Sequence, residues 1–407
     1  MPDRPDDLWR DLAPQVVGAL VRRYGDFAPA EDATQEALLA AATQWPADGV
    51  PDDPRAWLIR VASNKLIDQW RSDNARERRE LRAAQLDPAP AAVDDRDDTL
   101  TLLLLCCHPS LTAASQVALT LRAVGGLSTA QIAHAFLTPD KTMSQRISRA
   151  KLTIRAAGGR FTPPPPGELA DRLRAVRHVL YLIFNEGYTS SAGPALHDVE
   201  LSGEAIRLTR MVHRMLPDDP ETTGLLALML LTDARRGART TVEGEPVPLE
   251  EQDRGRWDHG LIAEGLALVD DALARREPGP YQVQAAIAAL HAQAPDAAAT
   301  DWEEIEALYA VLERLEPNPL VTLNRAVAAG MASGPARGLA MLAQVEDDPR
   351  LAHHHRLAAA RAYLLERSGD LPAAAAAYRR AAAATLSDAE RSHLSAQADR
   401  LSPTPPR

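Results

Sequence analysis

Aromatic residues, cysteines and long apolar runs are scarce in this chain of 407 residues. Phe, Trp and Tyr together make up 4% of the sequence, and the two cysteines, Cys106 and Cys107, are adjacent. Because neighbouring cysteines rarely form a disulfide with each other, we expect two buried thiols in a reducing cytoplasm rather than a redox pair or a metal site. No apolar run approaches the roughly 20 residues of a membrane span, and residues 1–10 are too acidic for a signal peptide. We therefore expect a cytoplasmic protein without a membrane segment.

Runs of Val, Ile and Thr are also few, whereas Ala, Leu and Arg abound. This composition predicts an all-α fold, and the length suggests two to four domains of about 150 residues each. A formal net charge of −11 argues by itself against nucleic-acid binding. The charge is uneven, however, because between His108 and Arg160 seven Lys and Arg residues stand against a single acid, Asp140. A basic segment within an acidic chain is typical of a DNA-contacting module.

The basic segment contains a predicted helix-turn-helix at residues 127–151, LSTAQIAHAFLTPDKTMSQRISRAK. Ser128 is a good N-cap for the first helix, and residues 137–139 interrupt the helical pattern. Asp140 is then expected to cap the second helix. The apolar residues recur at helical spacing, with Ile132, Ala133 and Phe136 in the first helix and Met143 and Ile147 in the second.

The second of these helices leaves a polar and basic face outward. Such a face suits a helix in the DNA major groove, where polar side chains contact base edges and basic ones contact phosphates. An ordinary helical hairpin with a solvated basic face explains this window equally well. The residues predicted to face outward are Thr142, Ser144, Gln145, Ser148, Arg149 and Lys151.

Two further helices are predicted in the N-terminal block. Residues 30–45, AEDATQEALLAAATQW, have Ala33, Ala37, Leu38 and Ala41 on one side and Asp32, Gln35 and Glu36 on the other. Residues 54–71, PRAWLIRVASNKLIDQWR, begin at Pro54 and carry an apolar stripe of Trp57, Leu58, Val61, Ala62, Leu66 and Ile67. Their polar face consists of Arg60, Asn64, Lys65, Asp68 and Arg71, followed by Arg76, Arg78 and Arg79. Polar groups and arginines beside aromatic rings can hold separated DNA strands, although a solvated polar face is the simpler interpretation of each helix alone.

Two segments that cannot form a core divide the chain. Residues 86–98, LDPAPAAVDDRDD, predict an acidic flexible linker, and the four prolines at 163–166 predict a stiff polyproline II spacer. A second and larger helical body follows from residue 168. The predicted domains are 1–84, 99–160, 168–300 and 301–407, with linkers at 85–98 and 161–167.

The C-terminal body shows weak internal repetition that indicates tetratricopeptide-like helical repeats over 301–401. Ser368-Gly369 stands 35 residues after Ser333-Gly334, close to the period of about 34 residues of such repeats. With Gly369 as the turn, Ala362 and Leu365 fit the first helix of one repeat. The positions that fit its second helix are Leu371, Ala374, Tyr378 and Ala381.

Three groups of polar residues invite a chemical role. Residues 185–188, Asn-Glu-Gly-Tyr, have no second carboxylate or nucleophile nearby in sequence, which favours a structural role around a Gly turn over catalysis. Residues 353–355, three histidines, point about 100° apart on a helix and cannot converge on one metal ion, so a solvated segment is favoured. Arg254, Arg256 and Trp257 lie in a predicted loop, where they either contact a partner or cap helices. We expect no catalytic group, no metal and no cofactor.

Taken in order, the N-terminal motifs resemble the extracytoplasmic-function (ECF) sigma factors of bacterial RNA polymerase over about residues 8–160. The resemblance implies that Asp32, Gln35 and Glu36 face core RNA polymerase. It implies that Asn64, Lys65, Asp68 and Arg71 face the promoter −10 element, on a segment similar to the helix pair that opens it. The residues implied to face the −35 element are Thr142, Ser144, Gln145, Arg146, Ser148, Arg149 and Lys151.

The rest of the chain resembles the extension of a subgroup of these factors that ends in tetratricopeptide-like repeats. The matching segments are YLIFNEGYTSS at 181–191, TGLLALMLLTDARRGAR at 223–239, PLEEQDRGRWD at 248–258 and GPYQVQAAIAALHA at 279–292. Two positions depart from the family. Leu137 stands where the turn usually has Gly, and Ser144 stands where a basic residue is usual, so we expect a different turn and a modest −35 affinity.

The resemblance implies a promoter-specificity subunit whose C-terminal body regulates it through protein contact or by packing on it. A conventional helix-turn-helix regulator with a helical-repeat sensor also explains residues 127–151 and the C-terminal body. That alternative leaves the N-terminal block without a role. An enzyme built on the C-terminal body has no supporting set of residues.

Overall fold

The computed structural model describes residues 5–77, 97–158, 161–189, 197–241, 244–351 and 354–402. In these ranges the chain forms eighteen α-helices and three short 3-10 turns, with one isolated bridge between Thr240 and Pro246 and no β-strand. The all-α prediction is confirmed. The chain divides into two compact units, Met1–Leu182 and Ile183–Arg407. None of the helices described is both long and apolar enough to cross a membrane.

The first unit is built from seven helices and most of an eighth. The helices are α1 (Pro5–Tyr24), α2 (Phe27–Asp48), α3 (Pro54–Glu77), α4 (Thr99–Cys106), α5 (Ala113–Ala123), α6 (Thr129–Ala135), α7 (Asp140–Ala156) and α8 (Pro166–Tyr188). The predicted N-terminal helices and the helix-turn-helix are therefore present as α2, α3, α6 and α7. Residues 78–96, which hold most of the predicted acidic linker as well as Arg78 and Arg79, lie outside the described ranges, as does Arg160.

Helices α1, α2 and α3 pack on one another around small and branched apolar side chains. An edge-on aromatic pair links α2 to α3, because the rings of Trp45 and Trp57 lie 5.4 Å apart, and Trp9 on α1 lies 6.3 Å from Trp45. Such pairs add roughly 0.5–1.5 kcal/mol beyond the burial of their area. The side chains buried between these helices include Val16, Val17, Leu20, Ala33, Ala37, Ala41, Leu58, Ala62 and Leu66.

Helix α4 is apolar on all sides and is buried accordingly. Its last residue is Cys106 and its C-cap is Cys107, and both are free thiols with no solvent exposure, as the sequence predicted. Burial raises the pKa of Cys107 to about 12, so this thiol stays protonated at neutral pH.

A close approach joins α1 to the start of α4. A Cβ atom added to Gly18 would lie 2.8 Å from the Cβ atom of Asp98, so only glycine allows this contact. The Asp98 carboxylate, 4% exposed, also pairs with Arg22 at 2.5 Å. These contacts hold the last residue of the predicted acidic linker, Asp98, directly against α1.

The proline run lies beside α4. Pro163, Pro164 and Pro165 line a cavity of about 190 Å³ together with Leu104 and Arg172, and the fourth proline is the first residue of α8. Proline suits a helix start because its missing N–H has no partner there. The predicted stiff spacer is therefore three residues of non-helical chain packed on the first unit.

The second unit contains ten further α-helices. These are α9 (Val199–Met215), α10 (Pro220–Asp233), α11 (His259–Ala274), α12 (Pro280–Gln293), α13 (Trp302–Leu315), α14 (Pro319–Ser333), α15 (Pro335–Leu342), α16 (His355–Ser368), α17 (Leu371–Ala384) and α18 (Asp388–Arg400). Each of these helices packs on the next one along the chain. Four of the ten begin with Pro at the first helical position, and α17 has Pro at its second.

The predicted pair of helices on either side of Gly369 is present as α16 and α17. Gly369 ends α16 with a left-handed φ of +86°, and Ala362, Ala374 and Ala381 are fully buried. Leu371 departs from the prediction, because it is 42% exposed at the start of α17. The hairpin is real, whereas its assignment to the tetratricopeptide repeats stays a prediction.

Candidate nucleic-acid interface

Helix α6 begins with a reciprocal cap at Ser128. The Ser128 Oγ accepts a hydrogen bond from the backbone N–H of Gln131 at 3.2 Å, and the Gln131 Oε1 accepts one from the backbone N–H of Ser128 at 2.8 Å. Both orphan donors of this helix start are thereby satisfied. Ile132 and Ala133 are fully buried, and Phe136 is half-buried at the C-cap. The first helix of the predicted motif is confirmed in its bounds and its buried face.

The turn between α6 and α7 keeps the left-handed backbone that glycine usually supplies. Leu137 has a φ of +46° and a side chain that is 55% exposed, so the expectation of a different turn is wrong. The left-handed region costs an L-residue about 1–2 kcal/mol because Cβ crowds the following carbonyl. The expected cap at Asp140 is also wrong, since Pro139 is the N-cap and Asp140 is the first residue of α7.

The faces of α7 divide mainly as the sequence predicts. Met143 and Ile147 are buried, together with Ala150 and Ile154 one and two turns further on. Arg146 is half-buried. The side chains exposed on the opposite face are Thr142, Ser144, Gln145, Ser148 and Arg149.

Lys151 is the exception on this helix. Its side chain is 11% exposed rather than free in solvent, because its Nζ lies 2.6 Å from Glu31 Oε2 and 3.0 Å from Asp32 Oδ1 on α2. Burial lowers the pKa of Lys151, but the charges of Glu31 and Asp32 outweigh it and raise the pKa above its usual value. The prediction of an outward-facing Lys151 is wrong for the structure as it stands.

Glu31 lies at the centre of this contact and has no solvent exposure. Its other oxygen, Oε1, lies 2.8 Å from the Nε of Arg122 on α5, although the N–H is not aligned for a good hydrogen bond. One carboxylate of α2 is therefore held by two cations, one from α5 and one from the second helix of the helix-turn-helix, α7. Removing one partner of a buried ion pair costs about 3–5 kcal/mol, because the remaining charge is stranded.

Sequence reasoning missed Glu31 and Arg122. The signal was available, because Glu31, Thr34, Ala37, Ala41 and Trp45 recur at helical spacing on the buried side of α2. A carboxylate on an otherwise apolar stripe indicates a cation brought from elsewhere in the fold.

A cavity of about 550 Å³ continues from these ion pairs along α7. Asp26 and Asp32 line it from the α2 side, and Ser144, Ser148 and Arg155 line it from α7. Arg155 also pairs with Asp26 at 3.1 Å. Ser144 and Ser148, which were predicted to face DNA, thus line a cavity whose opposite side carries the acidic residues Asp26 and Asp32.

The outer face of α2 carries an exposed apolar residue between its acids. Leu39 is 69% exposed, and it follows Asp32 and Glu36 by seven and three residues, so the three share one helical face. Gln35 is half-buried. An exposed Leu on a charged helical face is typical of a protein-binding surface. Sequence reasoning assigned the acids to this face and missed the leucine.

The predicted −10 residues share the outer face of α3, which is one continuous helix and not a helix pair. Asn64, Lys65, Asp68 and Arg71 are all exposed. Lys65 lies 3.5 Å from Glu36 and Arg71 lies 3.6 Å from Asp68, and exposed pairs of this kind contribute about 0–1 kcal/mol. All four side chains remain accessible to a ligand.

The other polar groups singled out in the sequence have structural positions. Gly187 lies inside α8 and not in a turn, and a Cβ atom there would lie 2.3 Å from the backbone N of Ser202 on α9. Arg254 donates to the last carbonyls around the end of α12, His291 and Ala294, at 2.5 and 2.7 Å, which favours capping over partner contact.

The histidine cluster is divided. His354 is the N-cap of α16 and stacks on His355, which lies 3.1 Å from Glu390, so these two are not a solvated segment. His353 lies outside the described ranges. Within those ranges no three His, Cys, Asp or Glu side chains are grouped closely enough to hold a metal ion.

Comparison with known proteins assigns these helices to a family. Residues 8–76 match Sigma-70 region 2 and residues 101–154 match Sigma-70 region 4. The ECF RNA polymerase sigma factor SigL of Mycobacterium tuberculosis is 33% identical over 140 residues, which cover 33% of this chain and 77% of SigL. The chain belongs to the ECF RNA polymerase sigma factors.

This sigma factor is longer than those relatives. SigK of Mycobacterium ulcerans, also an ECF RNA polymerase sigma factor, is 28% identical over 148 residues, covering 35% of the chain and 78% of SigK. Residues 172–273 match a family of unknown function, DUF6596. An uncharacterized protein of Rhizobium meliloti is 44% identical over 415 residues, covering 98% of the chain and 97% of that protein. No solved structure matches the chain.

Region 2 thus corresponds to α1–α3 and region 4 to α4–α7. The family assignment agrees with the order of motifs in the sequence, including a C-terminal extension. The roles of individual residues on α2, α3 and α7 rest on their positions alone.

Proposed function

We propose that this sigma factor binds core RNA polymerase through the outer face of α2 and reads promoters through α3 and α7. The observation that carries the proposal is the exposed set of Asp32, Glu36 and Leu39 on α2, beside the exposed polar face of α3. The apolar leucine supplies buried area at an interface and the acids supply orientation. Gln35, half-buried next to them, is assigned to the same surface.

DNA contacts are assigned to two separate faces. On α3 they are Asn64, Lys65, Asp68 and Arg71, facing the −10 element. On α7 they are Thr142, Ser144, Gln145, Arg146, Ser148, Arg149 and Lys151, facing the −35 element. Since Ser144 brings no charge and Lys151 is occupied by Glu31, α7 offers few free phosphate contacts, and we expect specificity to come mainly from the −10 face.

Simultaneous reading of both elements requires regions 2 and 4 to separate. The −10 and −35 elements are about 25 base pairs apart, which is about 85 Å along B-form DNA. Lys151, assigned to the −35 element, is instead in direct contact with Glu31 on α2. We therefore propose that the contact around Glu31 opens when polymerase binds, so that the chain alone has low affinity for promoters.

The C-terminal extension is assigned a regulatory role through contact with the sigma regions or with polymerase. The initiation factor itself is assigned no catalytic step. Its place of action is the cytoplasm, where polymerase and promoter DNA are found.

Run-off transcription with core polymerase and genomic promoter fragments tests the proposal. The full chain should start transcripts, and Glu36→Arg with Leu39→Ala should lower both transcription and polymerase pull-down at least tenfold. Gln44→Ala, an exposed change elsewhere on α2, is the matched control and should leave both unchanged. A chain ended after Arg160 should differ in transcript yield from the full chain if the extension regulates.

Two results would contradict the proposal. One is the absence of initiation from every promoter fragment with active core enzyme present. The other is tight, sequence-specific DNA binding by the pure chain that polymerase does not change, which is the behaviour of a conventional helix-turn-helix regulator.

A further inference from the structure

The second unit contains a cavity of about 340 Å³ that the sigma function does not use. It lies between the end of α8, the segment after α10 and the helices α16 and α18. Its volume is at the lower end of the range for small-molecule sites. The apolar part of its wall includes Val247, Ala359 and Leu394.

One wall of the cavity presents a fixed arginine. The Arg239 guanidinium donates to the carbonyl oxygen of Tyr188 and, at 3.0 Å, to the hydroxyl of Thr189, and its Cζ lies 3.7 Å from the centre of the Tyr188 ring. These contacts hold the plane of the guanidinium and use two of its five N–H donors. The remaining donors are not matched by any carboxylate within ion-pair distance in the part of the chain described here.

Because Arg239 is buried, the lack of a carboxylate within ion-pair distance among the described residues favours the binding of an anion from outside the chain. Burial lowers its pKa, and this effect, helped by the charge of Arg235, outweighs the opposite effects of Tyr188, Asp233 and Glu390. A cation held in such surroundings without a carboxylate partner is stabilised when an anion binds. The restraint by Tyr188 and Thr189 also means that little side-chain freedom is lost on binding.

The one carboxylate that lines the cavity is already satisfied. Glu390 accepts hydrogen bonds from His355 at 3.1 Å and from Thr385 at 2.7 Å. The hydrogen bond from His355 is the main cause that lowers the pKa of Glu390 to about 2, with a further contribution from Thr385 against the effect of burial. Glu390 therefore orients His355 and leaves the cavity with a cationic balance.

Two more side chains with N–H groups reach the cavity from α16 and α18, and burial lowers the pKa of the second one, His393, so that it serves as a hydrogen-bond donor rather than as a charge. Arg356 and His393 both line it, and neither side chain forms a hydrogen bond or an ion pair with another described residue. With Arg239 they converge on one space from three separate elements. Apolar side chains beside them provide contact area for a non-polar body.

We propose that this cavity binds a small organic anion, with a carboxylate or phosphate held by Arg239, Arg356 and His393 and an apolar portion against Val247 and Leu394. The cavity joins the segment that matches DUF6596 to the last helices of the extension. A ligand there would connect α8 and α10 with α16 and α18. The proposal concerns the second unit alone and does not rest on the assigned polymerase or DNA contacts.

Calorimetric titration of the full chain tests the proposal with benzoate, phenyl phosphate, inorganic phosphate and benzyl alcohol as probes. We expect benzoate or phenyl phosphate to bind and the neutral benzyl alcohol and free phosphate to bind at least tenfold more weakly. Arg356→Gln should weaken binding about tenfold, because it removes a positive charge from the anion site. The variant should remain folded, because Arg356 is exposed. Arg367→Gln, on the same helix but outside the cavity, is the matched control and should not change the affinity.

Arg239→Met provides a second measurement and should abolish binding, with circular dichroism as the check that the variant is folded. The proposal is overturned if neither aromatic anion binds at millimolar concentration. It is also overturned if benzyl alcohol or inorganic phosphate binds equally well, or if Arg356→Gln and Arg367→Gln bind alike. Because no polymerase is present, these outcomes are independent of transcription by the sigma factor.

Discussion

Leu137 shows at the scale of one residue that a turn can be retained without the residue that fits it best. The sequence departs from the usual glycine there, and the natural inference from that departure was a changed turn. The structure keeps the left-handed φ of +46° and places the side chain largely in solvent. The short α6, the buried Ile132 and the following helix therefore determine this backbone more strongly than the preference of one leucine.

Replacing Leu137 with glycine should make the chain up to about 1 kcal/mol more stable. Glycine removes the steric strain of Cβ at positive φ in the folded state. This gain equals or exceeds the loss of stability that comes from the greater conformational freedom of glycine in the unfolded chain. Chemical denaturation measures the free energy of unfolding. Leu152→Gly is the matched control, because Leu152 is 61% exposed within α7 at right-handed φ, and it should lose about 1 kcal/mol. Equal losses in both variants would show that Leu137 carries no strain.

At the scale of the helices, close contacts in the extension depend on missing side chains. Gly187 on α8 faces the backbone of α9, whereas the sequence predicted a structural glycine in a turn. The structural role is present but the turn is not, because the need for glycine arises from the close approach of α9, which no local pattern around residue 187 reveals. The same limit applies to Gly18 against Asp98 in the first unit.

Gly187→Ala should destabilise the second unit by about 1–3 kcal/mol. The added Cβ would lie 2.3 Å from a backbone nitrogen, so α8 and α9 must move apart, as in other overpacked cores. Gly203→Ala is the matched control, since nothing lies within 4 Å of its Cβ position on the exposed face of α9. That variant should gain about 1 kcal/mol from helix propensity. Thermal denaturation of both variants measures the difference, and a similar midpoint would contradict the assigned packing.

At the scale of the molecule, the order of the helices, the helix-turn-helix and the polar faces of α2 and α3 were predictable because they follow from local periodicity and caps. The ion pairs of Glu31 were not, because Arg122 and Lys151 lie about 90 and 120 residues away and no local pattern links them. The cavity around Arg239 was also not predictable from the sequence, because it is assembled from elements at both ends of the extension. Long-range polar contacts were the part of the site that sequence reasoning missed.

Glu31→Gln should separate region 2 from region 4 in the free chain. The change removes the charge that holds Arg122 and Lys151, which costs the closed contact about 3 kcal/mol or more. Fluorescence energy transfer between dyes on Gln69→Cys and Leu152→Cys measures the separation, because both positions are exposed and the native cysteines are buried. Energy transfer should be lower in the Glu31→Gln variant than in the labelled parent chain. In the labelled parent chain it should fall when polymerase is added.

Glu36→Gln is the control for that measurement, because Glu36 is exposed on the same helix and contacts only Lys65 among the ion pairs described. It should leave energy transfer in the free chain, without polymerase, unchanged. Equal transfer in Glu31→Gln and in the parent chain, with or without polymerase, would mean that the closed contact does not depend on the buried carboxylate.

The proposed opening of the contact around Glu31 would make the binding of polymerase and the binding of promoter DNA cooperative, although the two ligands share no atoms. If polymerase and promoter DNA both bind the open arrangement, the first ligand to bind supplies the free energy of opening the contact around Glu31. The second ligand then binds without that cost. Thermodynamic linkage requires this effect to be reciprocal, so promoter DNA must strengthen polymerase binding by the factor by which polymerase strengthens DNA binding. A single carboxylate on α2 would then set the threshold at which the two ligands assemble together.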